Sequence, residues 1–176
     1  MYRLDATADE IAVALGAQAG RDVWQGGGVV PGGFAPVVVQ GRDTRRLVPR
    51  LWGVPPPPRG LNVVTHVRNL ESPFWIGTLR HSEYRCLIPM TAFRGGRDWF
   101  GVEDQPVFAC AGIWRDSEVV SFAMITVAGD GLYPAEKVAT LPLILAPQEF
   151  GVWLRADWKL ARDLVRIGAS GLRRIT

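Results

Sequence analysis

Apolar and polar positions alternate in short runs along most of this chain, and the runs are broken by glycine and proline. Ala35–Val39 is a short apolar run that predicts a strand, with Pro36 near its start. The polar stretch 42–46 (Arg-Asp-Thr-Arg-Arg) predicts a hairpin tip, and Leu47–Trp52 the returning strand. Val63, Val64 and Val67 surround Arg68 in a further strand-like run, and Arg85–Pro89 predicts a buried strand. The segments 105–114 and 119–127 predict paired strands around the turn 115–118, with one more strand over Pro142–Leu145.

Helical signals are fewer. Thr7 and Glu10 form the pattern of a capping box, which predicts a helix running to about Ala19 and closed by Gly20. Ser72-Pro73 opens a second helix, Pro147 a third over Gln148–Leu154, and Asp157 caps a fourth over Trp158–Val165. Residues 168–171 lead into a last strand. The glycines at 26–28 and the Pro31-Gly32-Gly33 triplet predict loops, and Pro55–Pro58 a stiff connector too short to separate domains. Many short strands with a few peripheral helices predict an α+β fold, and 176 residues suggest one domain over 1–176.

Composition narrows the classes. No apolar run approaches the ~20 residues of a membrane helix, and acids in the opening MYRLDATADE argue against a secretory leader. The expectation is a cytoplasmic protein without a membrane partner. Cys86 and Cys110 sit in apolar runs and are expected as buried thiols. With two histidines and no metal-like spacing, neither a metal nor another cofactor is expected. The net charge is only +3, but Lys137 and Lys159 are the only lysines among 20 basic residues. Arginine grips phosphate and stacks on bases as lysine cannot. That bias tilts towards nucleic acid, although a preference for arginine codons explains it equally.

An arginine between apolar neighbours, as at Arg68, is costly to bury without an anion or a carboxylate. The strand is therefore either braced by an ion pair, with Glu71 as one candidate, or one wall of an anion-binding cleft.

Five ordered blocks carry a family resemblance: Leu51-Trp52-Gly53, His66-Val67-Arg68-Asn69, Arg85-Cys86-Leu87-Ile88-Pro89, Ala111-Gly112-Ile113-Trp114 and Thr140-Leu141-Pro142-Leu143-Ile144-Leu145. Together they resemble the SRAP family, the SOS-response-associated peptidase-like proteins that process abasic sites in single-stranded DNA. The resemblance implies a bifurcated sheet folded into a pseudo-barrel. It also implies chemistry in which an N-terminal cysteine, exposed by removal of Met1, captures an aldehyde through its amine and thiol, assisted by Asn, Glu and His. Here those positions hold Tyr2, His66, Gly95 and Lys137. A phenol cannot close the ring that a thiol closes, and a bulky second residue disfavours removal of Met1. The family's cysteine reaction and self-processing are therefore not expected.

The binding half of the family's site is better preserved. The resemblance assigns Arg68 to a phosphate, Trp52 to a base-stacking face, and Pro36 and His66 to the DNA groove, and Arg3 lies close enough in sequence to the N-terminus to reach that groove. The arginine the family places before its Met-Pro is missing, because Ala139 and Thr140 stand there. The expected function is binding of single-stranded or abasic DNA in a DNA-damage response, without covalent capture. One alternative is an enzyme that forms a Schiff base through Met1 or Lys137; another is a scaffold for protein contacts, with no partner chemistry indicated. Each residue also has a bland reading: Trp52 and His66 as core, and Lys137 as a solvent-facing lysine.

Overall fold

A computed structural model describes residues 1–129, 140–166 and 171–175. In chain order its elements are β1 (Tyr2–Leu4), α1 (Ala8–Leu15), β2 (Ala17–Gln18), β3 (Gly27–Val29), β4 (Phe34–Gln40), β5 (Arg45–Trp52), β6 (His66–Val67), α2 (Pro73–Arg80), β7 (Arg85–Met90), β8 (Ala92–Gly95), β9 (Asp98–Val102), β10 (Phe108–Arg115), β11 (Ser121–Ala128), β12 (Thr140–Pro142), β13 (Ile144–Leu145), α3 (Phe150–Arg155), α4 (Trp158–Arg162) and β14 (Leu172–Ile175). The fold is mixed α and β with strands predominating, as the short alternating runs predict.

The strands form two sheets. The smaller runs β14-β9-β8-β1-β3, and the larger runs β12-β11-β10-β7-β4-β5-β2. In the larger sheet β11 also pairs in parallel with β5, Ser121 opposite Leu51 and Phe122 opposite Trp52. That pairing closes a ring of β5, β4, β7, β10 and β11. The ring explains why β7 and most of β10 and β11 are buried without alternation: their side chains face either the ring's interior or a covering layer. Gly112 lies at a tightly packed point of the ring. A Cβ there would come within 2.6 Å of Ile88 Cδ1 and 3.1 Å of Cys86 Sγ.

Several predicted elements differ in extent. The capping box forms, with Glu10 N–H donating to Thr7 Oγ1 and Thr7 N–H to the Glu10 carboxylate. The helix ends at Leu15 rather than near Ala19, because Gly16 adopts a left-handed conformation (φ 60°) that caps it. Ala17 and Gln18 then pair with β5. The run around Arg68 yields only the two-residue β6, beside β11. Pro142–Leu145 splits into separate strands: β12 pairs with β11, and β13 with β10. Segments without a clear periodic signal also form strands: β1, β3 and the β8–β9 hairpin. Their order comes from cross-strand partners, Tyr2 with Val29 on one side and Phe93 on the other.

Candidate functional site

The strand β1 threads the start of the chain between β3 and β8 and sends alternate residues to opposite sides. Tyr2 and Leu4 point into the core, whereas Arg3 points out. A cavity of about 100 Å³ opens beside Met1, lined by Tyr2, Trp52, His66, Arg94, Thr126 and Thr140 among others. Six elements converge on it: β1, the end of β5, β6, β8, β11 and β12. Sequence reasoning brought Met1, Tyr2, Trp52 and His66 to one place, and the fold does the same. It missed Arg94 and Thr126, which arrive from β8 and β11 and carry no motif.

His66 lies between Trp52, whose ring is edge-on at 5.8 Å, and Thr65, whose Oγ1 shares a 2.7 Å hydrogen bond with Nδ1. Burial, the Arg68 charge and the N-terminal amine hold its pKa down at about 4, so the ring is neutral at pH 7. Burial and Arg94 also lower the pKa of the Met1 amine from its usual value. The Arg94 backbone N–H donates to Met1 O at 3.4 Å, which fixes the two residues side by side. The pocket thus combines a primary amine of reduced basicity, a neutral imidazole, a guanidinium and two hydroxyls. Among the described residues no carboxylate lines it.

Arg68 follows His66 by two residues and is exposed. Among the described residues it forms no ion pair, and Glu71 instead holds Arg162 at 2.6 Å. The bracing pair with Glu71 is therefore replaced by an open guanidinium next to the cavity. Gly53 directly after Trp52 needs to be glycine: its φ is 129°, and a Cβ would lie 2.9 Å from Val63 Cγ2.

Three of the residues expected to meet DNA are not open to it at the cavity. Trp52 is 1% exposed. Its Nε1–H donates to Thr65 O at 3.1 Å, and its ring packs on Tyr2 and Phe122. It forms a wall of the cavity but has no open face for a base. Pro36 is buried in β4 opposite Pro49, away from the cavity, because the alternation of β4 turns it to the outer face of the sheet. Arg3 pairs with Asp5 at 2.8 Å and lies over Trp99, on the far side of β1 from Tyr2. Gly95 is buried in β8 next to Arg94. Lys137, with Glu136 and Ala139, lies outside the described residues.

Several arginines pack on aromatic rings inside the fold. Arg45 donates to Leu15 O at the end of α1 and lies over Phe150. Arg85 donates to Ala156 O beside Trp153. Arg115 donates to Phe74 O and lies over both Phe74 and Trp75. Arg50 lies 4.8 Å over Trp114. A planar guanidinium can cap a carbonyl and cover a ring at once, and an ammonium cannot. Four of the 18 arginines are thus committed to packing. Both cysteines are buried and free, their thiols pushed up in pKa by burial, so they are unreactive at neutral pH.

Among the described residues no helix is long and apolar enough to cross a membrane. No family model matches the chain, and no curated protein matches it. Solved structures do share its fold. One is a protein from Bordetella bronchiseptica, with TM-score 0.78 and 18% identity over 99% of this chain and 98% of that one. A second is a protein from Bacteroides thetaiotaomicron, with TM-score 0.77 and 17% identity over 98% and 89%. A third is a phage-related protein from Bordetella bronchiseptica, with TM-score 0.71 and 15% identity over 99% and 92%. At these identities the likeness extends to the fold alone.

Proposed function

We propose that this chain is a divergent SRAP-like protein, its ring of strands the counterpart of that family's pseudo-barrel, and that it binds single-stranded or abasic DNA at the N-terminal cavity in a DNA-damage response. The binding does not use the family's cysteine chemistry. The carrying observation is the make-up of the site. The Met1 amine and Arg94 meet in the cavity, with the exposed Arg68 beside it and no carboxylate among the described lining residues. Such a site attracts an anion. A strand's phosphates suit Arg68 and Arg94, which can donate bidentately.

The test is a fluorescence-anisotropy titration of short single strands over a range of salt concentrations. Arg68→Ala and Arg94→Ala should each weaken binding similarly for all sequences and reduce the salt slope by about one. Parental affinity and slope in both variants would exclude the proposal.

A second reading is favoured by the Met1 amine. A primary amine of lowered basicity in a partly enclosed cavity can attack an aldehyde carbon. The nitrogen–carbon bond forms, the carbonyl oxygen takes up the protons and leaves as water, and an imine remains. Neutral His66 lines the same cavity and can pass the proton. Trapping with cyanoborohydride on an abasic oligonucleotide, followed by peptide mass analysis, should place the adduct on Met1 and spare it in a Lys137→Ala variant. An adduct on Lys137, or none at all, would remove Met1 from the chemistry.

A further inference from the structure

Neither reading uses a cavity of about 330 Å³ between α2 and the β10–β11 turn, which shares no residue with the N-terminal one. Its walls include Gly77, Thr78, Tyr84, Arg115 and Asp116. Arg115 is held there by neutral groups alone. Its Nε–H donates to Thr78 Oγ1 at 3.3 Å and its Nη2 to Phe74 O, and the guanidinium lies 4.2 Å from the Phe74 ring centre and 4.9 Å from that of Trp75. Among the described residues it forms no ion pair. Burial lowers its pKa with no carboxylate to offset the shift, whereas Asp157 and Glu83 offset it at Arg85. Asp116 is next in the chain, but its charge acts on Arg50, which lies over Trp114. Strand alternation puts Trp114 on the opposite face of β10 from Arg115. A half-buried cation without a counterion is costly, so the cavity lacks an anion that an occupant can supply.

The donors for that anion are open. Arg115 Nη1 and the Tyr84 hydroxyl have no hydrogen-bond partner among the described residues, and neither atom is sealed from solvent. Thr78 Oγ1 accepts from Arg115, which leaves its own proton to donate. Ser117 is no donor here, because its hydroxyl already donates to Val119 O at 2.7 Å. Gly77 keeps the wall low. A Cβ there would meet nothing within 4 Å, so packing does not require glycine in the middle of α2.

We propose that this cavity is a phosphomonoester site: the phosphate accepts from Arg115 Nη1 and from the Thr78 and Tyr84 hydroxyls, and the rest of the ligand lies over Gly77. A phosphomonoester carries a charge of about −1.5 to −2 at pH 7 and three acceptor oxygens, one for each donor. A carboxylate has a single charge and two oxygens, so it matches the three donors less well. An internal phosphate of a strand, with one charge and two free oxygens, is disfavoured for the same reason. The group can belong to a small molecule or to the 5′ end of a strand, since both present the same chemistry. The site does not depend on DNA binding at the N-terminal cavity.

The experiment is an NMR titration of the intact chain with phenyl phosphate, inorganic phosphate and benzoate at fixed ionic strength. Phenyl phosphate should shift the Arg115 Nε–H and the Thr78 and Ser117 amides saturably, with benzoate weaker by about 10-fold, the worth of one hydrogen bond to a charged group. Tyr84→Phe keeps the ring and should weaken phenyl phosphate by a similar factor, and Arg115→Gln should abolish the shifts. Gly77→Leu should weaken phenyl phosphate more than inorganic phosphate, because it fills the space beside the phosphate. Arg68→Ala should change nothing here, which separates this site from the N-terminal cavity. Benzoate as tight as phenyl phosphate, or parental affinity in Tyr84→Phe, would overturn the proposal. The Tyr84→Phe arm decides even where Arg115→Gln fails to fold, since it leaves the packing of Arg115 untouched. Absence of saturable shifts with both phosphates would overturn it as well. A short strand with a 5′-phosphate, compared with its 5′-hydroxyl form, then identifies the source. A preference for the phosphorylated strand that Tyr84→Phe removes supports the site and assigns it to a strand end. Equal strands, with phenyl phosphate still bound, support it as a site for a small phosphomonoester.

Discussion

The rings of Tyr2 and Trp52 meet edge to face, with centroids 5.2 Å apart, and this contact seals the start of the chain into the core. Tyr2 is 1% exposed, and burial next to the Cys110 and Cys86 thiols raises its pKa well above the usual phenol value. The position where the SRAP resemblance expects a reactive cysteine is therefore a packing position in this chain.

The Tyr2 hydroxyl is buried with no hydrogen-bond partner among the described residues. Removing an unpaired buried hydroxyl relieves a desolvation cost. Tyr2→Phe should leave thermal stability unchanged or raise it by up to about 1 kcal/mol, whereas Tyr2→Ala should lose about 3–5 kcal/mol through the cavity it leaves. A clear loss in Tyr2→Phe, read by calorimetry, would mean that a bound water serves the hydroxyl.

His66 couples stability to pH. Its pKa is about 4 in the folded chain, below the ordinary 6.5, because of burial, Arg68 and the N-terminal amine. Above pH 6.5 the ring is neutral in both states and no difference arises. Between about 6.5 and 4 the unfolded chain takes up the proton first, so stability falls as pH falls. Denaturant midpoints measured over that window should drop for the parent and drop less for His66→Gln. Parallel curves would show that the imidazole is not the group responsible.

Gly112 tests the tightness of the ring. A methyl at this position collides with Ile88 and Cys86 Sγ, and a β-strand in the middle of a sheet has little room to shift. Gly112→Ala should cost about 1–3 kcal/mol in chemical denaturation. No cost would mean that Ile88 finds another rotamer freely.

Arg85 is fully buried, yet its Nε and Nη1 have no hydrogen-bond partner among the described residues. Nη2 is satisfied by Ala156 O. Burial lowers its pKa, partly offset by the charges of Asp157 and Glu83. A buried charge with so few partners adds little net stability, and an apolar chain of similar shape often does as well. Arg85→Met should stay within about 1.5 kcal/mol of the parent or exceed it in a thermal melt. A loss of several kcal/mol would point to a bound water or ion on the free nitrogens.

Much of the architecture was legible where local chemistry decides it. The capping box at Thr7 and Glu10, the Ser72 and Asp157 caps and the long apolar runs of β7, β10 and β11 all formed. The failures share a cause. β1, β3 and the β8–β9 hairpin have little periodicity, and cross-strand partners far along the chain order them. Arg94 and Thr126 belong to no motif, so only their position in the fold reveals them at the cavity. Trp52 stands in a matching block, yet a block says nothing about which face of its strand meets solvent.

The sequence by itself determined the strand-rich character, the helix starts and the absence of a thiol at position 2, because each depends on residue type and near neighbours. Only the tertiary structure decided which arginines remain free, that Trp52 is a sealed wall, and that Met1, His66 and Arg94 share one cavity. Those outcomes depend on ring closure between β5 and β11 and on β1 lying against β8, contacts between residues dozens of positions apart that no local pattern encodes.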